Sequence, residues 1–568
     1  MKFKTIISCA VCVLTVASCD KMDYREYTNY GKDYMELSYD NVSGLITNIY
    51  TKLDYDFGQS YSGGMLASAC DEAEYAYNSN AVCDFYNGSW SPANAKESTW
   101  TNSYAAIQMC NHYLDGFQGL TFPELELNQD YDAKMNSYNN YAHEARFLRA
   151  YFYFNLVRQY GGVPLVTHVP TTQEVNKLTR ASSEDIFKFI ETECDDITNK
   201  IIADYTALGS LALSTPETAR ANRLTVLALK ARAALYAASP LFNTTDSKEL
   251  WKKAALANKA VLDSAVVYKK YLVKYSELWG ETNWTKDEMI FMRRMYPDAT
   301  NTLEGYNFPI GVEGGKSGNC PTQTLVDAYE MKATGKLWNE TGSGYDPTKP
   351  YVGRDPRFEL TIAKNGDTKW PTYNTLALQT YYGGANGEPI TGATPTGYYL
   401  KKYCDASVNL TAGKTNTKRH TWITYRLGEF YLNYAEAVFK YLGSADATSP
   451  EFPLSAREAV NMIRNRADVK MPLLSAGLSS EDFWKKYENE RMVELAFEGH
   501  RFWDIRRWKE GDKLKSIVQM KITKNDDGTF TYTRKIVNRS WDDKMYLFPI
   551  PQSERMKNPN LTQNPGWE

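Results

Sequence analysis

Two consecutive segments of this 568-residue chain repeat alanine at helical spacing, a pattern that restricts the fold more than any other feature of the sequence. The first is expected to start with Thr215 as N-cap and Pro216 as first helical residue, and it runs to Ser239. After a turn at 240–247, the second covers 248–264. Residues three or four apart share a helix face, so these small side chains form a seam that lets two helices pack closely. The seam residues are Ala228, Ala231, Ala234 and Ala238 in the first segment and Ala254, Ala257 and Ala260 in the second.

Further helical segments flank this pair. Apolar residues recur at helical spacing in each of them, and Gly-Gly-Val-Pro or serine-rich sequences mark their ends. The additional helices are predicted at 141–160, about 183–201, 425–442, 456–467 and 480–510. Helix pairs with small facing residues and large flanking ones are similar to tetratricopeptide units. Stacking such pairs forms a scaffold rather than a catalytic fold.

The rest of the chain has a different character. Two stretches, 60–96 and 266–419, are rich in Gly, Pro, Thr, Asn and Tyr, and long irregular segments on a rigid frame commonly carry binding function. Near the C-terminus, 518–523 and 529–537 flank an Asn-Asp-Asp-Gly turn and predict a β-hairpin. The predicted fold class is mainly α, with a tetratricopeptide-like helix-pair scaffold, a large loop-rich insert and minor β-hairpins. The scaffold is expected at about 36–56, 97–265 and 420–512.

The N-terminus carries an export signal. Two lysines precede an apolar stretch over 6–18, which is too short to span a bilayer that needs about 20 helical residues. The sequence Val-Ala-Ser-Cys that ends at Cys19 resembles the bacterial lipobox. We therefore expect a lipoprotein signal peptide at 1–18, lipidation of Cys19, and a charged tether at 19–35 that anchors the domain over 36–568 at a membrane. An ordinary signal peptide with a chance cysteine is the alternative.

Composition excludes some classes of function. The chain has 65 Lys and Arg against 68 Asp and Glu, a formal charge of −3 without a basic block, which argues against nucleic acid as a partner. Only five histidines are present, which argues against an extensive histidine-based metal centre. Aromatic residues make up 14% of the chain, and such a surplus suits either a binding surface or a packed core.

Six cysteines remain once the signal peptide and Cys19 are set aside, and they form no C-x-x-C pair. An even number in an exported protein permits disulfides, and the nearest option joins Cys70 to Cys83 or Cys110. Buried free thiols are the alternative. The six are Cys70, Cys83, Cys110, Cys194, Cys320 and Cys404.

The sequence contains no HExxH, Walker A or dinucleotide-binding motif, so we expect neither catalytic residues nor a cofactor. Glu490, Glu494 and Glu498 recur on one helix face, which could suggest a carboxylate metal site. Arginines lie among them, and a buried or interfacial ion-pair network is the preferred interpretation. A structural calcium ion in the acidic loops stays open, although no EF-hand-like spacing supports one. The arginines in question are Arg491, Arg501, Arg506 and Arg507.

Four separated stretches carry a further signal. They are 143–151 leading to 160–164 (YGGVP), 223–240 (RLTVLALKARAALYAASP), 490–508 (ERMVELAFEGHRFWDIRRW), and 547–551 (LFPIP) with 558–567 (NPNLTQNPGW). In this order and spacing they resemble the signatures of the RagB/SusD family of outer-membrane nutrient-binding lipoproteins. No single stretch is diagnostic, but the ordered set is specific, and together with the lipobox it covers nearly the whole mature chain.

This resemblance implies a fold of tetratricopeptide-like helix pairs that carries a looped ligand-binding subdomain. The protein is then expected at the outer membrane, lipid-anchored and surface-exposed, as a lid that delivers oligosaccharides to a SusC-like TonB-dependent transporter. Such binding needs only aromatic rings that cover the apolar face of a sugar and polar side chains that bond its hydroxyls. Three alternatives stay open: a peptide-binding family member, a surface glycoside hydrolase, and an assembly scaffold for protein partners.

The resemblance also places the ligand contacts in the irregular loops, because 71–77 and 87–94 match the family region that often supplies them. Trp90 is the leading stacking residue, with burial under its own loop as the alternative. Asp71 and Asn94 are hydrogen-bonding candidates, with capping of Asx-turns as the alternative. The remaining candidates are aromatic: Tyr75, Tyr77, Trp279, Trp284 and Tyr306.

Overall fold

The computed structural model describes residues 31–214, 219–294 and 299–568; the predicted signal peptide, Cys19, Thr215 and Pro216 lie outside these ranges. The α-helices are α1 (Lys32–Met35), α2 (Tyr39–Tyr50), α3 (Asp84–Asn87), α4 (Ser98–Gly116), α5 (Tyr131–Tyr160), α6 (Thr172–Val175), α7 (Ser183–Ile197), α8 (Arg223–Ala238), α9 (Lys248–Val267), α10 (Thr302–Asn307), α11 (Gln323–Ala328), α12 (Arg357–Thr361), α13 (Leu427–Leu442), α14 (Ala456–Arg464), α15 (Ser480–Glu494), α16 (Arg501–Arg507) and α17 (Gln552–Lys557). The β-strands are β1 (Ala73–Tyr75), β2 (Met289–Arg294), β3 (Asn319–Pro321), β4 (Ile362–Ala363), β5 (Tyr399–Leu400), β6 (Thr421–Arg426), β7 (Ser516–Lys524) and β8 (Phe530–Asn538).

The longer helices stack in one continuous series. Each packs against the next in the order α4, α5, α7, α8, α9, α13, α14 and α15. The alanine seam lies in the contact between α8 and α9, where the side-chain amide of Asn258 donates to the backbone carbonyl of Ala231 at 3.3 Å. Ala228 and Ala254 are fully buried there. The prediction of a mainly helical, tetratricopeptide-like scaffold is confirmed. Among the helices described, none is long and apolar enough to cross a membrane.

Capping side chains fix where several of these helices begin. The Ser182 hydroxyl accepts from the backbone amide of Asp185 at 3.0 Å, and the Asp185 carboxylate accepts in return from Ser182. Helix α8 begins at Arg223, because the side-chain oxygen of Asn222 accepts from the backbone amide of Thr225 at 3.0 Å. The helix thus starts later than the sequence suggested, and the expected cap lies outside the described residues.

The predicted long helix near the C-terminus is interrupted. Helix α15 ends at Glu494 and α16 begins at Arg501. Between them, Phe497 and Gly499 adopt φ of 60° and 76°, a left-handed conformation that no α-helix continues through. The backbone amide of Phe497 donates to the carboxylate of Glu72 at 3.3 Å, so a tertiary contact holds the break in place.

The irregular part of the chain enters between two helices of the stack. Helices α9 and α13 pack directly against each other although 268–426 separates them in the sequence. Within this stretch the described residues form only short helices and strands. Strands β2 and β6 pair antiparallel near its two ends, which brings the entry and exit of the stretch together.

A second antiparallel pair closes the C-terminal region, as predicted. Strands β7 and β8 pair from Ser516 opposite Asn538 to Lys524 opposite Phe530. The backbone amide of Val518 donates to the Thr324 hydroxyl at 3.0 Å, which ties this hairpin to α11.

The cysteines of the described chain are all buried free thiols. The proposed disulfide between Cys70 and Cys83 or Cys110 does not form, and the alternative of buried thiols is confirmed. Burial raises the pKa of Cys110 above its ordinary value, so this thiol stays protonated and unreactive.

A buried ion-pair network joins the inserted stretch to the helical stack. Arg426 donates to Glu494 at 2.8 Å and to Glu498 at 2.6 Å. Arg466 donates to Glu288 at 2.6 Å, and all five side chains are buried. The predicted network is confirmed, although the arginines that pair with these glutamates come from other elements. Because an unpaired buried charge is costly, each partner depends on the others.

Candidate functional site

Trp90 lies in the core rather than on an accessible surface. Its indole is 3% exposed and packs edge-on against Phe85, Phe548 and Trp567, with ring centres 4.7, 4.6 and 5.1 Å away. A ring enclosed in this way has no free face for a sugar, which corrects the expectation of a stacking residue. Burial, the alternative weighed from the sequence, is what the structure shows.

Asp71 forms a buried ion pair within the protein. Its two carboxylate oxygens accept from Arg501 at 2.9 and 2.7 Å, and the residue is 2% exposed. Because both oxygens lie in a buried ion pair, the expectation that Asp71 bonds a ligand is corrected.

Asn94 forms hydrogen bonds with nearby residues of its own loop. Its side-chain amide donates to Asp84 at 3.0 Å and its oxygen accepts from Lys96 at 2.9 Å. Burial opposes ionisation of Asp84, but hydrogen bonds from Asn94, Lys96 and Ser89 outweigh burial and lower the pKa of Asp84 to about 2, so the aspartate stays ionised. A ligand-binding role for Asn94 stays a prediction.

Three predicted rings lie together and are called the tyrosine cluster: Tyr75, Tyr77 and Tyr306. The ring centres of Tyr75 and Tyr77 are 6.4 Å apart. A Cβ on Gly63 would come within 2.6 Å of both the Tyr75 hydroxyl and the Tyr306 ring, so only glycine fits between them. The amine of Lys316 lies 5.6 Å from the Tyr306 ring centre. Tyr77 and Tyr306 are half-buried and Tyr75 is buried.

The two remaining predicted rings contact other groups. Trp279 packs edge-on against Tyr275 with ring centres 5.2 Å apart, and the amine of Lys402 lies 5.5 Å from it. The guanidinium of Arg294 lies 3.9 Å from the ring centre of Trp284. Both tryptophans are half-buried. The structure therefore does not assemble the eight predicted residues into one site.

A polar cavity of about 100 Å³ is lined in part by Ser60, Tyr61 and Leu66, which flank Gly63 in the sequence. By the usual allowance it has room for several water molecules, or for a small polyol in their place. None of the eight predicted residues lines it. Its polar lining includes Asp54, Asp56, Ser60, Ser98, Asn155, Gln159, Arg158, Thr424 and His500, and its rings include Tyr55, Tyr61, Tyr151, Trp422 and Trp503.

Asp54 is held at the mouth of this cavity by residues on one face of α5. The amide of Asn155 donates to Asp54 at 3.0 Å, and the Tyr151 hydroxyl donates to the same oxygen. Arg158 reaches the other oxygen at 3.5 Å, while its guanidinium lies 4.6 Å from the Trp503 ring centre. The Asp54 side chain is 46% exposed, so its carboxylate also faces solvent.

Two polar atoms in the cavity wall lack partners among the described residues. They are the Nε of Arg158 and the hydroxyl of Thr424, both shielded by protein. Buried polar groups are nearly always hydrogen-bonded, so an unpaired donor at a cavity indicates that water or a ligand completes it. A guanidinium, a hydroxyl and a carboxylate within one small cavity suit a neutral ligand rich in hydroxyl groups.

Among the titratable groups of the wall, Asp56 and His500 have displaced pKa values. Burial raises the pKa of Asp56 to about 7, although the backbone amide of Leu66 donates to it at 2.7 Å and opposes that shift. Burial, followed by nearby arginines such as Arg232, lowers the pKa of His500 well below its ordinary value. The imidazole is therefore neutral near pH 7 and can donate or accept one hydrogen bond.

Sequence reasoning missed this cavity, although one signal was present. Tyr151, Asn155 and Arg158 fall at helical spacing and form a polar stripe on a helix whose other buried residues are mostly apolar. The remaining wall comes from loops around Asp54, Thr424 and His500, which only the fold brings together.

Comparisons with known proteins agree with this architecture. A sequence profile described as the SusD family matches residues 282–567, and one described as starch-binding, associating with outer membrane, matches residues 24–235. SusD-like protein P2 of Formosa agariphila is 26% identical over 498 residues, which cover 82% of this chain and 80% of that protein.

Comparison with solved structures also finds SusD-like proteins. A SusD-like protein from Bacteroides fragilis is 25% identical with a TM-score of 0.76, covering 94% of this chain and 98% of its own. A SusD-like carbohydrate-binding protein from the same organism is 25% identical with a TM-score of 0.74, covering 93% and 100%. A laminarin-binding SusD-like protein is 20% identical with a TM-score of 0.62, covering 93% and 99%, which shows a shared fold.

Proposed function

Because the chain belongs to the SusD family, a family of carbohydrate-binding proteins, we propose that it is a non-catalytic oligosaccharide receptor at the cell surface. In this proposal, Cys19 carries the lipid anchor, and a SusC-like TonB-dependent transporter receives the bound sugar. The outer-membrane description of the profile over 24–235 supports the location. Anchor, surface exposure and transporter remain proposals beyond that description.

The polar cavity is the observation that carries the binding proposal. A sugar presents pairs of hydroxyl groups that donate and accept, and the cavity offers a solvent-facing carboxylate at Asp54 with unpaired donors at Arg158 and Thr424. The tyrosine cluster lies against Gly63, close in sequence to Ser60 and Tyr61 of the cavity wall, and we propose that its half-buried rings contact further sugar units. A neutral or weakly charged oligosaccharide satisfies both features.

One observation supports the alternative that the protein is a glycoside hydrolase. Asp54 and Asp56 both line the cavity, and the pKa of Asp56 is raised to about 7, as in a general acid of a glycosidase. We nevertheless propose binding without turnover, because the matched family is one of binding proteins. Prolonged incubation of purified protein with each bound glycan should release no reducing sugar. Release that disappears in both Asp54→Asn and Asp56→Asn would establish the hydrolase instead.

The decisive experiment is a glycan array followed by calorimetry on the mature chain. We expect saturable binding of at least one oligosaccharide and roughly tenfold weaker binding by Asp54→Ala, since a hydrogen bond to a charged group contributes about 1.5–3 kcal/mol. Asp263→Ala is the matched control, because Asp263 is an exposed aspartate paired with Lys259 on α9. Binding to peptides but to no glycan would favour the peptide-binding alternative. No ligand at all would favour an assembly scaffold.

A further inference from the structure

A second concave surface, here called the arginine groove, adjoins the cavity. It encloses about 310 Å³ and is lined chiefly by Thr47, Tyr50, Thr51, Arg220, Arg293 and Arg294. The segment 50–56 separates the two: its first residues line the groove, and Asp54, Tyr55 and Asp56 line the cavity. One extended ligand can therefore contact both.

The guanidinium groups in this groove are positioned by aromatic rings. Arg293 lies 5.4 Å from the Tyr55 ring centre, and Arg294 lies 3.9 Å from that of Trp284. Arg220 lies 5.5 Å from the ring centre of Tyr50. Stacking of this kind fixes the plane of a guanidinium relative to its neighbours.

Arg293 has no counter-charge in the described part of the chain. No described carboxylate lies within ion-pair distance of it. One terminal nitrogen donates to the backbone carbonyl of Tyr50 at 2.8 Å, and its shielded Nε has no partner. By contrast, Arg220 is paired with Glu144 at 3.1 Å. Among the described residues, the groove thus holds one cation that has no carboxylate at ion-pair distance, on a chain whose overall charge is −3.

We propose that the arginine groove binds an oxyanion carried by the oligosaccharide, either a sulfate ester or the carboxylate of a uronic acid. A carboxylate presents two oxygens in one plane and a sulfate ester presents three terminal oxygens. In both cases a guanidinium can donate to two of these oxygens through two N–H groups. Thr47 and Thr51 are exposed hydroxyl-bearing residues at the edge and can add hydrogen bonds to the same group. The inference rests on the proposed carbohydrate binding and adds one anionic group, held in the groove, to the hydroxyl-rich ligand that the cavity suits.

The test compares ligands that differ only in the anionic group. A sulfated galactan tetrasaccharide is titrated beside its desulfated form, and a polyuronate tetrasaccharide beside a neutral glucan of equal length. We expect the anionic member of at least one pair to bind about tenfold tighter at about 50 mM salt, and that advantage to shrink at about 500 mM. The pair that responds identifies sulfate or carboxylate.

Three variants test whether the tighter binding of anionic ligands depends on the arginine groove. Arg293→Gln should abolish the anionic advantage and leave the neutral ligand unchanged. Thr51→Glu places a carboxylate at the exposed edge without altering a buried residue, and it should give the same result if Arg293→Gln fails to fold. Arg534→Gln is the control, because Arg534 also stacks on a ring, Trp338 at 3.5 Å, but is paired with Asp327.

The outcomes separate the two proposals. Equal affinity for both members of each pair would overturn the arginine groove while leaving oligosaccharide binding intact. An anionic advantage that survives in both Arg293→Gln and Thr51→Glu would also overturn it. Failure of all four ligands and of the wider glycan array would instead refute the proposed function.

Discussion

The indole of Trp90 packs edge-on against the ring of Phe548, with 4.6 Å between their centres. Trp90→Ala should therefore lower the free energy of unfolding by about 3–5 kcal/mol, as expected for removal of a buried tryptophan. Trp90→Phe should be milder, because the ring remains and the indole nitrogen it removes has no partner in the described chain. Urea unfolding measures both effects.

Binding by the same variants distinguishes structure from ligand contact. Folded Trp90→Phe is expected to bind oligosaccharide with wild-type affinity. A fivefold loss of affinity without loss of stability would restore Trp90 as a ligand contact and contradict the assignment to the core.

Thr424→Val tests the cavity with little structural change. The Thr424 hydroxyl is shielded and unpaired, so valine of similar shape should leave the melting temperature unchanged or slightly higher. If a bound sugar forms a hydrogen bond with the Thr424 hydroxyl, the variant should bind oligosaccharide roughly two- to tenfold more weakly. This loss corresponds to about 0.5–1.5 kcal/mol for a neutral hydrogen bond. Calorimetry and a thermal melt on the same sample give both values. Wild-type affinity would remove Thr424 from the binding surface.

Glu494 predicts how the protein responds to acid. Burial opposes its ionisation, but Arg466, Arg426 and Arg357 outweigh burial and lower its pKa to about 2. A carboxyl whose folded pKa lies below its unfolded value near 4.5 stabilises the fold above that value, and the contribution is lost as pH falls toward 2. Glu494→Gln should cost about 3–5 kcal/mol at neutral pH and flatten the loss of stability between about pH 5 and 2.

Glu481→Gln is the control for this change. Glu481 lies on the same helix, its side chain is 79% exposed, and it pairs only with an exposed lysine. No measurable loss of stability is expected. Equal effects of the two substitutions in urea unfolding would show that the buried network does not stabilise the fold.

Glu72 predicts the opposite dependence on pH. Burial, followed by repulsion from Asp71, raises its pKa to about 8. The folded pKa lies above the unfolded value near 4.5, so stability is present at low pH and is lost as pH rises through about 8. Glu72→Gln should therefore gain stability relative to wild type between about pH 5 and 9. Urea unfolding at about pH 5 and at about pH 9 measures the difference in stability between Glu72→Gln and wild type. A difference that is the same at both pH values would contradict the raised pKa of Glu72.

The neighbouring substitution Asp71→Asn serves as a contrast. It leaves Arg501 buried without its bidentate partner, so a loss of about 3–5 kcal/mol is expected. The two adjacent carboxylates thus make opposite contributions at high pH.

Local patterns were sufficient to predict the helical frame. The alanine seam, the serine caps and the hairpin turn each depend on residues close in sequence, and these elements appear where expected. The break at Phe497 could not be predicted, because the contact that holds it is with Glu72, 425 residues away. The start of α8 was misplaced because Thr215 and Pro216 fit the pattern of a helix start, whereas Asn222 is the cap that the described chain uses.

The candidate binding surface was harder to predict, because residues distant in sequence form it. Trp90 sits in a loop that the sequence predicts to contact ligand, yet its environment is set by Phe548 and Trp567 at the other end of the chain. The cavity draws on segments near Asp54, Asn155 and Thr424 that no spacing rule connects. The tyrosine cluster was predicted residue by residue, but its assembly across Gly63 required the fold.

The direct packing of α9 against α13 also sets the order in which the chain can fold. All partners from α4 to α9 precede residue 268, so this half of the stack can form while later residues are still emerging. Helix α13 has to wait for the whole of 268–426, and contacts this distant in sequence form slowly. The open side of α9 stays uncovered in the meantime, and such half-built intermediates are prone to aggregate. The uncovered side of α9 is therefore the surface most prone to aggregation until α13, which begins at Leu427, has been added.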